Sequence, residues 1–243
     1  MISFSIARWA AWAPELKTNE SWIRWAYDTS RLDEDTAPQP DLKKVSPMLR
    51  RRLDLPGKMA IATAMDCLGG SSDIPIVFCS RHGEVARSAG MLSSIANGEP
   101  VSPTAFSLSV HNAVAGLLSI IRHDYSNLIT ISSRADLVEA GIIEACGILN
   151  DGNQKVLLVV YNHDIPECFS AYKDQEERTF AFALLIEKKE KDTFSLSWDS
   201  SHGHSPNNIG MPSELAVLKF ILSGQKTLKL PSKGRIWYWS RNV

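Results

Sequence analysis

Residues 103–149 read PTAFSLSVHNAVAGLLSIIRHDYSNLITISSRADLVEAGIIEACGIL, and this stretch decides the fold. Within it, an extended run at residues 128–132 stops abruptly and gives way to a long apolar helix that starts near Ala135. Such a turn lies at a helix N-terminus, where the helix dipole stabilises a thiolate or an oxyanion. A nucleophile is therefore expected at the tip of the turn. The residues there are Arg134, Ala135 and Asp136, and none of them carries a thiol.

The helix that follows, predicted over residues 135–150, is apolar around most of its circumference. This pattern predicts a helix that is enclosed between layers rather than lying on the surface. Gly141 and Ala145, four residues apart, would let a neighbouring element approach closely. Cys146 lies well inside the same helix, so packing is its predicted role.

Two short motifs in residues 103–149 carry a family resemblance. The segment resembles the N-terminal half of β-ketoacyl synthases of the thiolase fold, which have a Ser-x-x-Asn-x-x-Ala-Gly stretch followed by Thr-Ile-Ser-Thr-Ala-Cys-Ala-Ser-Gly and a buried helix. The family's catalytic Cys falls on Ala135. The likeness is closest to short ketosynthase-like chain length factors, in particular the aryl polyene type that pairs with a complete ketosynthase. The matching positions are Ser109, Asn112, Ala115 and Gly116, followed by residues 130–138.

The resemblance implies an α/β fold, namely the N-terminal half of a thiolase-like structure. Its expected parts are a mixed sheet, a buried central helix and covering helices. Residues 1–243 would form a single ketosynthase-like domain that ends in a helix and a strand. The second half of a full ketosynthase is expected to be missing.

The resemblance also has consequences for chemistry. Decarboxylative condensation needs a thiolate to hold the acyl chain and two imidazoles to stabilise the enolate and the thioester oxyanion. The chain offers neither at the matching positions, so an inactive subunit without a cofactor of its own is expected.

The implied function is to assist another protein. In the thiolase fold the sheet continues across two subunits, and each active site is lined partly by the neighbour. The resemblance therefore implies a chain length factor that pairs with an active β-ketoacyl synthase, as a heterodimer or a larger assembly. It would limit elongation on an acyl carrier protein, which carries the phosphopantetheine.

The candidate pocket or interface residues are Phe106, His111 and Asn112, together with Ala135 and the charged pair that flanks it. An ordinary structural role is open for each of them. Asn112 could bond to the local backbone, and His111 could be a half-buried imidazole whose hydrogen bonds are satisfied.

A basic cluster consists of Arg50, Arg51 and Arg52 with Lys43 and Lys44 nearby. A solvated helix face explains this cluster without any function. The functional alternative is docking of an acidic acyl carrier protein, a contact that should weaken as salt screens the charges. A stand-alone carrier-docking module is accordingly one alternative to the chain length factor.

The composition is that of an ordinary globular protein, with 243 residues, 44% of them apolar, and a net charge of −1. Such a chain can bury a large core, and its charge provides no basic footprint for nucleic acid. No apolar run reaches the roughly 18 residues of a membrane span. Four scattered Cys without a C-x-x-C pair, and the lack of a signal-peptide pattern, predict a reducing cytoplasm.

Cys79 ends a short apolar run that is typical of a strand buried on both faces. Open α/β sheets place ligands at the carboxyl ends of such strands, and His82 follows three residues later. A second alternative is therefore a thiol acyltransferase that uses Cys79 or Cys146, whereas the simpler prediction is that both thiols are buried and inert. His202 and His204 are interpreted as residues of a polar loop, and no metal site is expected.

Residues 10–41 mix aromatic residues with Asp and Pro, and an irregular segment is predicted there. Its aromatic residues have two interpretations. They could be anchors for a partner, or they could cover the chain's own core. The residues concerned are Trp12, Trp22, Trp25 and Tyr27.

The remaining elements are predicted from local periodicity and turn signals. Residues 178–187 and 193–198 are predicted to form an antiparallel hairpin, because the charged loop that links them, residues 188–192, is short. Further strands are predicted at residues 1–9, 74–80, 155–161 and 235–240, and helices after Ser46-Pro47 and at residues 58–68, 85–96 and 213–222.

Overall fold

The computed structural model describes residues 1–30, 32, 39–173, 175–188, 193–201 and 210–242. The strands in this part of the chain are β1 (Ile2–Trp12), β2 (Ile76–Cys79), β3 (Leu128–Ile131), β4 (Lys155–Asn162), β5 (Phe180–Glu187), β6 (Thr193–Ser200), β7 (Thr227–Ser232) and β8 (Arg235–Asn242). The helices are α1 (Asn19–Tyr27), α2 (Pro47–Arg50), α3 (Leu55–Leu68), α4 (Val85–Ala96), α5 (Pro103–Ser107), α6 (Ala113–Arg122), α7 (Leu137–Asn150) and α8 (Ser213–Ser223), with a 3-10 helix at Glu167–Tyr172.

All the named strands lie in one sheet, in the order β3-β2-β4-β5-β1-β6-β8-β7. β2 pairs in parallel with β3 and with β4, and the other pairings are antiparallel, so the sheet is mixed. β2 and β4 are the apolar runs that the sequence predicts as doubly buried strands, and apart from Lys155 all their residues are buried. A strand covered on both faces needs no polar side, which explains the lack of alternation.

Helices cover the two faces of the sheet and form separate apolar cores. α1, α7 and α8 lie on one face, whereas α3 and α6 lie on the other. α7 contacts β1, β2, β3 and β4, so it is central in its layer. Gly141 permits this contact, because a Cβ there would lie 2.6 Å from Leu158 Cδ1 and 2.7 Å from Cys79 Sγ. The close approach predicted at Gly141 is confirmed.

The predicted enclosure of α7 holds for most of the helix but not for all of it. Ile143 and Gly147 are exposed, and Ala140 and Glu144 are half-buried, which leaves one stripe uncovered. An exposed Ile and a buried Ile look alike in a sequence, so the apolar pattern did not reveal this stripe. No helix in the described part of the chain is long and apolar enough to cross a bilayer.

The hairpin predicted from residues 178–187 and 193–198 is wrong. β5 and β6 form at these positions, but β1 lies between them and pairs with both. The loop predicted at 188–192 lies outside the described residues, except for Lys188. Strands that are neighbours in sequence can be separated by a strand from elsewhere in the chain, and no local pattern records this.

The sequence prediction also missed β7. This strand forms a hairpin with β8 through a two-residue turn at Lys233 and Gly234. Gly234 has a φ of +79°, a conformation that glycine adopts readily and that such turns require. The Lys-Gly pair was therefore an available signal for the hairpin.

The irregular segment predicted at residues 10–41 is wrong for its first part, and residues 31 and 33–38 lie outside the described residues. β1 extends to Trp12, and α1 is a regular helix whose N-cap residue, Thr18, accepts a backbone N–H with its side chain. Trp22 and Trp25 are each 1% exposed, and their rings pack edge to face with 5.2 Å between centroids. Both belong to the chain's own core, so the interpretation as partner anchors is wrong for them.

Candidate functional site

The β3–α7 turn, residues 132–136, is where the sequence leads us to expect a nucleophile. β3 ends at Ile131, and α7 begins at Leu137 after the N-cap residue Asp136. Asp136 has φ +62° and ψ +30°, a left-handed conformation that residues other than glycine seldom adopt. Ala135 is exposed. The backbone strain of the turn therefore lies one position after Ala135, and neither position carries a thiol.

Side chains stabilise the β3–α7 turn from within and from the neighbouring strand. Ser133 Oγ donates to Ala135 O inside the turn. Ser132 Oγ donates to Arg81 O over 3.0 Å, and Arg81 Nε donates to Arg134 O over 3.0 Å. Because Arg81 comes two residues after the end of β2, these bonds connect the turn to the carboxyl end of the adjacent strand.

A buried ion pair lies next to the turn. Arg81 Nη1 donates to Glu177 Oε1 over 2.9 Å, and both side chains are 2% exposed. Asn162 Nδ2 donates to Glu177 Oε2 over 2.6 Å, and His82 Nε2 lies 3.3 Å from Glu177 Oε1. Burial alone would raise the pKa of Glu177, but hydrogen bonds from His82 and Asn162 and the charge of Arg81 outweigh it and lower the pKa. Glu177 is therefore ionised at neutral pH.

Carboxyl groups of the chain itself lie at two helix N-termini near this turn. Glu139, in the first turn of α7, is 2% exposed, and its Oε1 accepts from Trp239 Nε1 over 3.1 Å. Burial raises the pKa of Glu139 to about 7, although bonds from its own backbone N–H and from Trp239 act in the opposite direction. Burial likewise raises the pKa of Glu214, at the start of α8. The helix end that would favour a substrate oxyanion thus already has an internal carboxyl group.

The structure places one of the three pocket candidates beside β3. His111 is half-buried, and its Nε2 lies 3.1 Å from the carbonyl oxygen of Ile131, the last residue of that strand. Asn112 is exposed and occupies the N-cap of α6, where its side chain makes no capping hydrogen bond. Phe106 lies on α5 and is 64% exposed. Asn112 and Phe106 are therefore accessible to a second protein.

Three of the four cysteines are buried, where a thiol is a poor nucleophile. Cys67, Cys79 and Cys146 are buried, and Cys168 is exposed on the 3-10 helix. Burial raises the pKa of Cys146 to about 11 and that of Cys67 to about 12, and it raises the pKa of Cys79 as well. A thiol that is buried and protonated is a poor nucleophile. The predicted burial of Cys79 and Cys146 is confirmed, and it argues against the acyltransferase alternative.

The basic cluster proposed for carrier docking is partly available at the surface. Arg51 and Arg52 are exposed, and Arg50, the last residue of α2, is half-buried. His202 and His204 lie outside the described residues. Within the described ranges, no group of three or more His, Cys, Asp and Glu side chains could hold a metal ion.

Within the described residues, β3 has one backbone edge that no other strand covers, and the sequence did not predict this. The strand is outermost at one end of the sheet, and the carbonyls of Asn127 and Ile131 accept hydrogen bonds from β2. Backbone direction alternates along a strand, so the N–H and C=O groups of Leu128 and Thr130 point away from the sheet. We call these outward groups the open edge. Every residue of β3 is only half-buried.

α4 and α5 contact each other, and neither contains a buried residue. Leu92 and Ile95 on α4 and Phe106 on α5 are all more than half exposed. We call these two helices the apolar arm. Large apolar side chains that remain exposed on neighbouring elements often mark an interaction surface. The sequence showed that α4 is a helix, but not that its apolar residues would stay uncovered.

A family model described as the N-terminal domain of β-ketoacyl synthases matches residues 22–240. The chain belongs to the β-ketoacyl synthase family. This confirms the resemblance that residues 103–149 suggested, and the mixed sheet with its central helix confirms the predicted α/β class. No curated protein matches the sequence.

Solved structures of the family share the fold over most of the chain. One match is a chain from the complex "Ketosynthase (ApeO) in Complex with its Chain Length Factor (ApeC) from Xenorhabdus doucetiae". It is 28% identical with a TM-score of 0.87, and the match covers 99% of this chain and 100% of that one. The ishigamide ketosynthase/chain length factor is 12% identical with a TM-score of 0.65, covering 82% of this chain and 68% of the other. A β-ketoacyl synthase from Burkholderia phymatum STM815 is also 12% identical, with a TM-score of 0.61 and coverage of 93% and 71%.

Proposed function

We propose that this member of the β-ketoacyl synthase family is a non-catalytic chain length factor. It pairs with an active β-ketoacyl synthase, as a heterodimer or a larger assembly, and shapes the acyl pocket of that synthase during synthesis of an aryl polyene or a related polyketide. The proposal is supported by the match, over the whole length of both chains, to a chain from a complex of a ketosynthase with its chain length factor.

The observation that best supports pairing with a synthase is the open edge of β3. An edge strand presents unpaired N–H and C=O groups to another strand, and such groups are a template for extending the sheet. At the open edge these groups belong to Leu128 and Thr130. A synthase that adds its own strand here would continue the sheet across the two proteins, as the thiolase resemblance implies.

The apolar arm supplies area for the same contact. Leu92, Ile95 and Phe106 offer large side chains that the isolated chain leaves exposed. His111, which lies between α5 and α6, contacts the last carbonyl of β3 and thereby connects this part of the chain to the strand. Phe106, His111 and Asn112 are thus candidates to contact the synthase and to line its pocket.

The chemistry of the described residues supports a subunit without catalysis of its own. The β3–α7 turn has Ala135 at the predicted nucleophile position and Asp136 at the strained position. The Cys79 and Cys146 thiols are buried, and the first turn of α7 contains the internal carboxyl group of Glu139. The growing chain would therefore be held by the synthase and by the phosphopantetheine of an acyl carrier protein, and this chain would need no cofactor.

Replacing Thr130 with Pro tests the pairing at the open edge. The substitution removes one outward N–H, whereas the bonds between β3 and β2 use the alternate residues and remain. We expect co-purification with a co-expressed β-ketoacyl synthase from the same genome to fall at least about ten-fold, because a strand cannot pair fully along a proline. The melting temperature of the isolated chain should change by only a few degrees.

Thr227→Pro is the matched control, because it introduces the same residue into β7, at the opposite end of the sheet. It should leave co-purification unchanged. Equal assembly of Thr130→Pro and the parent would show that β3 is not the interface. If no β-ketoacyl synthase co-purifies with the parent chain, the proposed function is wrong.

A stand-alone carrier-docking module is the second candidate, and the exposure of Arg51 and Arg52 favours it. It predicts that the isolated chain binds an acyl carrier protein without any synthase. That binding should weaken steeply between low and high salt, because the contact would depend on exposed charges. A chain length factor should bind the carrier only when the synthase is present.

A further inference from the structure

The β3–α7 turn is exposed to solvent, yet buried groups determine its backbone. Arg81 donates to Arg134 O with Nε and to Glu177 with Nη1, and its own carbonyl accepts from Ser132 Oγ. Asn162 donates to the second oxygen of Glu177. A connected set of hydrogen bonds therefore joins the turn to the carboxyl ends of β2 and β4 and to the segment before β5.

Stability alone does not explain this arrangement. Moving two charges out of water costs free energy that their mutual attraction often fails to offset, so apolar side chains of similar volume would stabilise a core equally well. A buried network whose members are bonded to each other instead selects one arrangement of the backbone. Here the arrangement fixes the peptide of Arg134, and hence the position of the exposed residues Arg134 and Ala135.

The position of the turn connects it to the open edge. Ile131 is the last residue of β3, and Ser132 is the first residue of the turn. A strand that pairs along β3 therefore brings its protein next to residues 132–136. We propose that Arg81 and Glu177 are positioning residues, which hold the β3–α7 turn in the shape that the partner synthase contacts. This inference rests on the proposed function, because it requires a synthase at the open edge.

A spin label on the turn tests the first half of the proposal. Ala135→Cys in a Cys168→Ser background gives one exposed thiol for a nitroxide, since the other cysteines are buried. Adding Glu177→Gln keeps the size of the side chain but removes the charge that holds Arg81. The rotational correlation time of the label, measured by electron paramagnetic resonance, should then fall at least about three-fold, because Arg134 O loses its fixed donor.

Glu176→Gln is the matched control for Glu177→Gln. Glu176 is the preceding residue, and it pairs with Arg178 at the surface, where both side chains are at least 40% exposed. This variant should leave the motion of the label unchanged. Arg81→Lys is the second test variant, because it keeps the positive charge but lacks the fork that reaches both Arg134 O and Glu177. It should mobilise the label even if Glu177→Gln does not fold.

The second half of the proposal, that the synthase contacts the turn in this shape, is tested by measuring binding to the synthase. Without a label, Glu177→Gln and Arg81→Lys should raise the Kd for the co-purifying synthase at least about five-fold, whereas Glu176→Gln should not change it. A label that stays immobile in both test variants, or a Kd equal to that of the parent, overturns the positioning role.

The outcome for Thr130→Pro separates this result from a failure of the proposed function. If Thr130→Pro still binds the synthase, pairing at the open edge is wrong and the positioning proposal fails with it. If Thr130→Pro does not bind but Glu177→Gln binds like the parent, only the positioning role is wrong.

Discussion

The two ends of the sheet differ in what they offer to another chain. β7, at one end, carries Lys229 and Pro231, whereas β3, at the other end, carries Leu128 and Thr130. Exposed edge strands readily pair with other strands, and Lys and Pro are among the residues that prevent this. The difference indicates that the sheet is blocked at β7 and available for pairing at β3.

The two protective residues of β7 occupy the positions whose backbone groups point outward. Lys226 O accepts from Arg241 N, so Lys226 faces β8, and alternate residues after it do the same. The backbone N–H and C=O positions of Lys229 and Pro231 therefore point away from β8, toward the open side of β7. Pro231 has no N–H to offer on that side, and the Lys229 ammonium group lies 5.8 Å from the ring centre of Tyr238.

β3 has none of these protective features. Its four residues, Leu-Ile-Thr-Ile, contain no charge and no proline, and all are half-buried in the isolated chain. Such a strand is prone to associate unless a partner covers it. A sheet that is protected at one end and unprotected at the other is thus the structural counterpart of the proposed pairing with a synthase.

The largest expected effect on stability comes from disturbing the packing of α7 against the β3 side of the sheet. Among the described strands β3 pairs with β2 alone, and α7 covers β2 and β4, with Gly141 against Cys79 of β2 and Leu158 of β4. Gly141→Val should lower the free energy of unfolding by at least about 3 kcal/mol, because the clash begins at Cβ, and overpacking of this kind is costly. Hydrogen exchange should show that β3 loses protection before β7. Equal loss at both edges would contradict the idea that α7 supports the β3 side.

Gly147→Ala is the control for this substitution. Gly147 lies on the exposed side of α7, and a Cβ there would have no neighbour within 4 Å. The variant should be as stable as the parent or up to about 1 kcal/mol more stable, because Ala favours a helix more than Gly does. Chemical denaturation monitored by circular dichroism measures both variants.

The next largest effect on stability concerns the half of the sheet that ends in β7. There a buried hydrogen bond connects β8 to α7. Trp239, on β8, donates to Glu139, whose pKa burial raises from 4.5 to about 7. The folded chain therefore keeps a proton that the unfolded chain releases between these pH values. The free energy of unfolding should fall by about 3 kcal/mol as pH rises from about 4.5 to about 7, and Glu139→Gln should remove this part of the slope.

Urea denaturation at several pH values measures this dependence. Glu144→Gln is the control, because Glu144 lies on the uncovered side of α7. This variant should keep the pH dependence of unfolding seen in the parent. Burial also raises the pKa of Glu214, so a smaller slope of the same sign should remain after Glu139→Gln. A slope that Glu139→Gln leaves unaltered would show that this carboxyl group does not titrate in the folded chain near neutral pH.

The smallest effect on stability, but a clear effect on association, is expected from unblocking β7. Replacing Lys229 and Pro231 with Val should change the free energy of unfolding by less than about 1 kcal/mol, because neither residue is buried. The variant should self-associate, which sedimentation velocity would detect. Lys226→Val is the control, since its backbone faces β8. A variant that stays monomeric would show that Lys229 and Pro231 do not protect this edge.

The candidate site divides into parts that the sequence predicted and parts that it did not. The strand, the turn at Ala135 and the apolar helix were all visible, because each depends on residues that are close in sequence. The strained conformation of Asp136, the ion pair of Arg81 with Glu177 and the position of Glu139 were not. These features arise only when distant segments pack together, and none of the side chains involved has a distinctive local pattern.

The sequence by itself determined the family, the α/β class and most of the helices and strands. Apolar runs such as β2 and β4, and the motif around Asn112, are local properties of the chain. Only the tertiary structure decided that β1 separates β5 from β6 and that β3 has an open edge. It also joined Arg81 to Glu177, 96 positions apart, and Glu139 to Trp239, 100 positions apart. The physical reason is that strand order and buried polar pairs depend on the packing of the whole chain, whereas periodicity depends only on neighbouring residues.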